Sequence, residues 1–101
     1  MADLNLNGHT KVKTLKAEFK KNWNATLRVY HGVGFADDNA TLASIRKGDA
    51  KGGELKVTGN IKVGNFEKKM LEIFGVKVQV ANSKDTQLSN NDITITAAGK
   101  E

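Results

Sequence analysis

The stretch LNLNGHTKV at residues 4–12 has a close counterpart in LKVTGNIKV at residues 55–63. In both stretches two apolar residues alternate with polar ones, a glycine follows, and a lysine precedes a valine. This alternation predicts a short strand, and the glycine predicts a break before the next element. The chain of 101 residues therefore contains two similar passages, from which its architecture can be worked out.

An apolar stripe with helical spacing follows each stretch. Spacings of three and four residues put side chains on one face of a helix. The first stripe consists of Val12, Leu15, Phe19 and Trp23, and the second of Val63, Phe66, Met70 and Phe74. Thr10 is expected to cap the first helix, and Gly75 is expected to end the second. Each passage therefore leads from a strand into an amphipathic helix.

A second alternating segment follows each helix, and it predicts a strand with one buried face. Its apolar members are Ala25, Leu27 and Val29 in the first half, and Val76, Val78 and Val80 in the second. The order is thus strand–helix–strand, twice, and the chain matches itself without a gap when Leu4 is placed on Leu55. We interpret residues 4–48 and 55–99 as an internal repeat within a single domain, residues 1–101. This alignment matches Leu42 with Ile93.

Two such units predict an α+β fold, a two-layer sandwich with both helices on one face of a mainly antiparallel sheet. A pseudo-twofold relation between the units makes this a ferredoxin-like βαβ–βαβ pseudo-duplication. The alternation at Ile93–Thr96 predicts at least one added strand, Asp92–Thr96. The segment TLASI, residues 41–45, fits either a short strand or a single helical turn.

An alternative fold is indicated by LRVYHGVGFADDNATLASI, residues 27–45, followed by GELKV, residues 53–57. With the helix before them, these segments resemble the latter half of a ubiquitin-like β-grasp domain. There a strand leads through a glycine turn and a D-x-x-T-L segment to the last strand. The resemblance covers roughly residues 10–58, begins with one short strand instead of a hairpin, and implies architecture alone. The terminus AAGKE carries no diglycine tail, so conjugation of the ubiquitin type is not implied.

Composition narrows the class of protein. The chain has 16 basic and 11 acidic residues, a net charge of +5, and no cysteine. Basic and acidic residues are interleaved, which is more typical of a solubilising surface than of a nucleic-acid footprint. The lack of cysteine excludes disulfides and thiolate metal sites. The first residues contain no secretory signal pattern, and no apolar run is long enough to cross a membrane, so we expect a cytoplasmic protein.

The sequence contains no pattern that indicates catalysis or metal binding. His9 and His31 stand in different predicted elements, whereas a zinc site needs three or four ligands in tetrahedral geometry. The acidic segment Asp37–Asn39 lacks the glycine and glutamate of a calcium loop, and it is interpreted as a turn stabilised by Asx side chains. No nucleophile–base pair is recognisable. We therefore expect no enzyme, no cofactor and no metal.

Two sets of residues are candidate contacts for an anion or a partner. At each predicted helix entrance a glycine and a lysine stand beside free backbone N–H groups and the positive end of the helix dipole, which can bind phosphate or carboxylate. These residues are Gly8, Lys11, Gly59 and Lys62. Arg28 and Tyr30 are expected on the outer face of their strand, where they are the best candidates for contacts with nucleic acid.

The leading functional hypothesis is a small non-enzymatic binding module for a protein partner. Unpaired sheet edges accept strands from other chains, so Val76–Ser83 or residues 92–98 could bind a partner or form a homodimer. The second hypothesis is a weakly sequence-specific nucleic-acid-binding protein that acts through its surface lysines. No interaction with a membrane is expected.

Overall fold

The computed structural model describes residues 3–32, 34–46 and 53–100. These residues form an α+β fold with three α-helices and two antiparallel sheets. In chain order the elements are β1 (Asp3–Leu6), α1 (Val12–Trp23), β2 (Thr26–His31), β3 (Gly34–Phe35), a 3₁₀ helix (Ala43–Ile45), β4 (Leu55–Thr58), α2 (Val63–Phe74), β5 (Lys77–Ala81) and α3 (Ile95–Ala98). The predicted strand–helix–strand order is therefore present in both halves.

The strands separate into two sheets. β1 pairs with β4, and the other sheet has the order β3-β2-β5, with antiparallel pairing throughout. The two strands that precede the long helices, β1 and β4, pair with each other, and the two strands that follow them, β2 and β5, pair with each other. No single four-stranded layer therefore forms among the described residues. The ferredoxin-like arrangement is not confirmed. Nor is the β-grasp alternative, since β4 lies in a separate sheet with β1.

Both predicted helical stripes are buried and form the core. Their members are Val12, Leu15, Phe19 and Trp23 on α1, and Val63, Phe66, Met70 and Phe74 on α2. The ring centroids of Phe19 and Phe66 are 5.3 Å apart, so the two stripes meet at these aromatic rings. Alternate residues of β2 and β5 are buried in the same cluster: Leu27, Val29, Val78 and Val80.

The helix ends differ from the prediction in one place. Gly75 ends α2 with a left-handed φ of 64°, as expected, and Asn24 does the same for α1 with φ 59°. Thr10 does not cap α1, because its hydroxyl accepts a hydrogen bond from the Asn7 N–H, at 3.2 Å. Lys11 takes the N-cap position without a side-chain hydrogen bond.

The predicted strand Asp92–Thr96 is wrong. The Thr94 hydroxyl accepts a hydrogen bond from the Ala97 N–H at 3.1 Å, and this cap starts the short helix α3. A capping hydroxyl thus outweighs the strand preference of the alternating Ile and Thr residues. In the first half the open alternative at residues 41–45 resolves to the 3₁₀ helix, with Ile45 buried.

The two halves make equivalent backbone hydrogen bonds at the start of α1 and at the start of α2. Val12 N–H donates to Ala40 O, and Val63 N–H donates to Ile93 O, both at 2.8 Å. Leu42 N–H donates to Thr10 O, and Ile95 N–H donates to Ile61 O, both at 3.0 Å. These contacts match Leu42 with Ile95 rather than with Ile93. The difference in residue number between corresponding residues of the two halves is therefore constant as far as β5. It increases in the turn that follows β5, because that turn is longer than the turn after β2.

Candidate functional site

The two helix entrances contain fewer free N–H groups than the sequence predicts. In α1 the second amide, that of Lys13, donates to Asp38 O at 2.9 Å. In α2 the Gly64 amide donates to Asn91 O at 3.0 Å. Since the Val12 and Val63 amides are also bound to carbonyls, the first two donors of each helix are satisfied by the chain itself. An anion site formed by the exposed side chains of Lys11 and Lys62 remains a prediction. The first two backbone amides of each helix are not available to contribute to it.

Close packing explains the glycines at the same entrances. A Cβ on Gly8 would lie 3.3 Å from Ala43 Cβ. A Cβ on Gly59 would overlap the Thr96 hydroxyl and lie 2.9 Å from Trp23 Nε1. The Gly59 carbonyl also accepts hydrogen bonds from the N–H and the hydroxyl of Thr96, at 3.1 and 3.0 Å. Gly59 therefore allows α3 to approach α1.

Arg28 and Tyr30 lie together on the outer face of the sheet, as predicted, and both are half-buried. The Arg28 Nε donates to Asp85 Oδ1 at 2.7 Å, and this hydrogen bond raises the pKa of Arg28. The Tyr30 hydroxyl donates to Gln79 Oε1 at 2.7 Å. The Tyr30 ring stacks on Phe35 with centroids 5.2 Å apart. These partners orient the two predicted residues. The other predicted contacts lie away from them, in the turns before α1 and α2: Gly8, Lys11, Gly59 and Lys62.

The outer edge of β5 is the second notable feature of this sheet. The Val80 N–H donates to Glu67 Oε2 at 3.2 Å, and the Val80 carbonyl accepts from the Ser89 N–H at 2.9 Å. Backbone groups of alternate residues point to the same edge of an antiparallel strand. Val78 therefore directs its N–H and C=O to the edge of β5 that faces away from β2.

A groove of about 360 Å³ lies between this edge and α2. Its lining residues are Gly64, Glu67, Lys68, Leu71, Lys77, Val78 and Gln79. Leu71 is 56% exposed and supplies an apolar wall. At one end Leu88 forms a bridge with Ala81, which closes the edge there. We call this region, between α2 and Lys77–Gln79, the β5 groove.

Glu67 is a partly buried carboxyl group in the lining of the β5 groove. Its desolvation by burial raises the pKa of the carboxyl group, while the hydrogen bond from Val80 and the charge of Lys77 act in the opposite direction. The carboxylate occupies the place at which a neighbouring strand would accept a hydrogen bond from Val80. Glu67 thus limits the accessible part of the edge to the residues before Val80.

Replacing Glu67 by glutamine is expected to raise the free energy of unfolding at neutral pH. The pKa of Glu67 is raised in the folded state, so the folded chain binds the proton more tightly than the unfolded chain. The contribution of Glu67 to the free energy of unfolding therefore rises as the pH falls through the interval between its folded and unfolded pKa values. Glutamine removes the charge and keeps an oxygen for the Val80 N–H. The advantage of E67Q, measured by urea denaturation, should shrink as the pH falls through that interval.

The matching control is E67A, which removes the acceptor as well and leaves the Val80 N–H without its side-chain partner. We expect E67A to be less stable than E67Q at every pH in the series, because a lost hydrogen bond contributes about 1 kcal/mol. A difference between E67Q and the native chain that is independent of pH would contradict the assigned role of burial.

Sequence reasoning missed Phe35, Glu67 and Leu71. Leu71 lies outside the helical stripe, and an apolar residue in that position was a signal that could have identified it. Phe35, which is 71% exposed, follows a glycine turn and was likewise visible as an aromatic residue outside the predicted core. Glu67 gave no signal, because its role depends on the position of β5.

No family model matches the chain, and no curated protein and no solved structure matches it. Within residues 3–32, 34–46 and 53–100, no three His, Cys, Asp or Glu side chains cluster as a metal site would require. The helices in the same ranges are too short or too polar to cross a bilayer. The geometry of the β5 groove and of the outer face therefore carries the functional argument.

Proposed function

We propose that the protein is a non-enzymatic binding module that accepts a short extended segment of a partner protein at the β5 groove. The observation that carries this proposal is the edge of β5 at Val78, which opens into a groove with an exposed leucine beside it. Strand addition of this kind gains affinity from main-chain hydrogen bonds and specificity from the pockets beside the edge.

The length of the accessible edge decides what can bind. Glu67, Leu88 and Ser89 cover the edge at Val80 and Ala81. A second β5 strand pairing over its full length would have to displace these contacts. The net charge of +5 also opposes association of two identical chains. We therefore favour a short segment of another protein over the homodimer.

Leu71→Glu tests the proposal. The protein, treated with nuclease, is immobilised and used to select binders from a library of short random peptides. The selected peptides should carry aliphatic residues at alternate positions, and they should shift the NMR signals of the Lys77–Gln79 amides. L71E should weaken their binding at least tenfold, which corresponds to about 1.4 kcal/mol. Leu71 is mainly exposed, so the fold should remain intact.

Asn65→Glu is the matched control, because it adds the same charge at an exposed position of α2 that does not line the groove. Selected peptides should bind N65E as they bind the native chain. If all selected peptides bind L71E equally well, the proposal is overturned. The proposal would also be overturned if the protein selected no peptide but bound single-stranded oligonucleotides. That result would favour the nucleic-acid hypothesis. If the native chain sediments as a dimer and L71E sediments as a monomer, self-association is favoured.

We also infer that the duplication predicted from the sequence is real: residues 4–48 and 55–99 are two copies of one unit, related by a pseudo-twofold axis. The supporting observation is register: Asn5 pairs with Lys56, and Arg28 pairs with Gln79. Both pairs have the same separation along the chain as Leu4 and Leu55, so residues that the repeat makes equivalent face each other at the centre of each strand pair.

A further inference from the structure

We propose that the chain has a second strand-binding edge, on β2, which takes an acidic extended segment and makes the module bivalent. This inference rests on the proposed function of the β5 groove. It starts from the fact that, among the described residues, β3 pairs with β2 at Tyr30 and His31 only. The opposite end of β2, from Thr26 to Arg28, therefore has no partner in β3.

The backbone of β2 repeats the geometry of β5. Val29 pairs with Val78, and Leu27 pairs with Val80. The Val29 carbonyl accepts a hydrogen bond from the Ala36 N–H at 2.9 Å, just as the Val80 carbonyl accepts one from Ser89. Because alternate residues point to the same edge, Leu27 directs its N–H and C=O away from β5.

A groove of about 210 Å³ lies at this edge. Its lining residues are Lys16, Thr26, Leu27, Arg28, Val29, Phe35 and Asp85. We call this region the β2 groove. Under the internal repeat, its residues Lys16, Thr26, Leu27 and Arg28 correspond in turn to Glu67, Lys77, Val78 and Gln79 of the β5 groove. The two grooves are therefore counterparts.

The differences between the grooves determine their ligands. Lys16 stands where the β5 groove has Glu67, and an ammonium group cannot accept a hydrogen bond from the Val29 N–H as Glu67 does from Val80. Arg28 stands where the β5 groove has Gln79. Lys16 pairs with Asp38 at 3.1 Å in a solvent-accessible ion pair, and the half-buried Arg28 pairs with Asp85 at 2.7 Å. Exposed ion pairs contribute little to stability, so a ligand carboxylate can compete with Asp38 for Lys16.

Phe35 provides the apolar anchor of the β2 groove. Its side chain is 71% exposed, and one ring face stacks on Tyr30. Lys77 lies over the same Tyr30 ring, with Nζ 5.6 Å from the centroid. Aromatic residues and arginine are both enriched at protein interfaces. An acidic segment with one apolar residue therefore fits the combination of Lys16, Arg28 and Phe35.

The test uses the L71E variant, in which the β5 groove is blocked, as the target for a new selection from the same peptide library. The selected peptides should be acidic, should shift the Leu27 and Val29 amide signals, and should bind more weakly as salt is added. The double variant L71E/F35E should bind them at least tenfold more weakly than L71E. L71E/F35L, which restores an apolar side chain, should retain most of the binding.

The outcomes separate the two proposals. If every peptide selected on the native chain binds L71E equally well, the proposed function itself is wrong. If those peptides depend on Leu71, but L71E selects no peptide whose binding depends on Phe35, the module has one groove and the second edge is refuted. Peptides that depend on Phe35 but shift only the Tyr30 and Lys77 signals would also refute strand addition at β2.

Discussion

Phe74→Ala is expected to lower the free energy of unfolding by about 3–5 kcal/mol, the usual cost of truncating a large aromatic core residue. Phe74 is 1% exposed and closes the apolar stripe of α2. It lies directly before Gly75, whose left-handed conformation ends the helix. Truncation therefore opens a cavity where α2 turns towards β5. Because domains of ordinary size are stable by only about 5–15 kcal/mol, the variant should unfold at markedly lower urea concentration.

Trp23→Ala should have a comparable effect, because Trp23 holds the corresponding place on α1. It is 8% exposed, and its ring meets Phe19 edge-on with centroids 5.1 Å apart. Leu71→Ala is the control for α2, since Leu71 is 56% exposed and its truncation should change stability by no more than about 0.5 kcal/mol. Losses at Phe74 and Trp23 as small as the loss at Leu71 would show that the core lies elsewhere.

Gly99→Ala is a further substitution with a large expected effect, and it acts through the backbone instead of a core side chain. Gly99 is buried next to the end of α1, and its φ of −69° suits any residue. An added Cβ, however, would overlap the Trp23 carbonyl oxygen and lie 2.8 Å from the carbonyl carbon. These are backbone atoms, so they cannot move aside as a side chain can. We expect a loss of about 1–3 kcal/mol and faster amide exchange in α3, which the Asn24 side chain also holds by a hydrogen bond to Gly99 O.

The control for this substitution is Gly34→Ala. Gly34 has no left-handed φ, and no heavy atom lies within 4 Å of the position of its Cβ. G34A should therefore have nearly the stability of the native chain. If G99A and G34A unfold at the same urea concentration, the close approach of α3 to α1 does not contribute to stability.

Local sequence patterns predicted the helices well, because a helix with one buried face has a spacing that is visible in the sequence. All eight members of the two stripes are buried, and β2 and β5 follow the predicted alternation. The segment Asp92–Thr96 failed because alternating Ile and Thr residues suit a strand, while a Thr followed by ITAA also suits a capped helical turn. The hydroxyl contact of Thr94 decides between them, and it depends on tertiary position.

The candidate site was less predictable than the fold. Arg28 and Tyr30 were identified because alternation alone places them on the outer face. The β5 groove was not, since it requires knowledge that β5 ends its sheet and that Glu67 reaches the Val80 N–H. The ungapped alignment of the two halves does not match their backbone hydrogen bonds after β5, for a similar reason. The turn after β5 is longer than its counterpart after β2, and an ungapped alignment cannot register this difference.

The pairing of β1 with β4 and of β2 with β5 makes folding of each half dependent on the other half. Each sheet is completed by strands from opposite halves. Of the strand pairs among the described residues, the first half alone therefore retains the short β2–β3 pair. Two fragments, produced separately and mixed, should reconstitute one domain by complementation, while each alone remains largely unstructured.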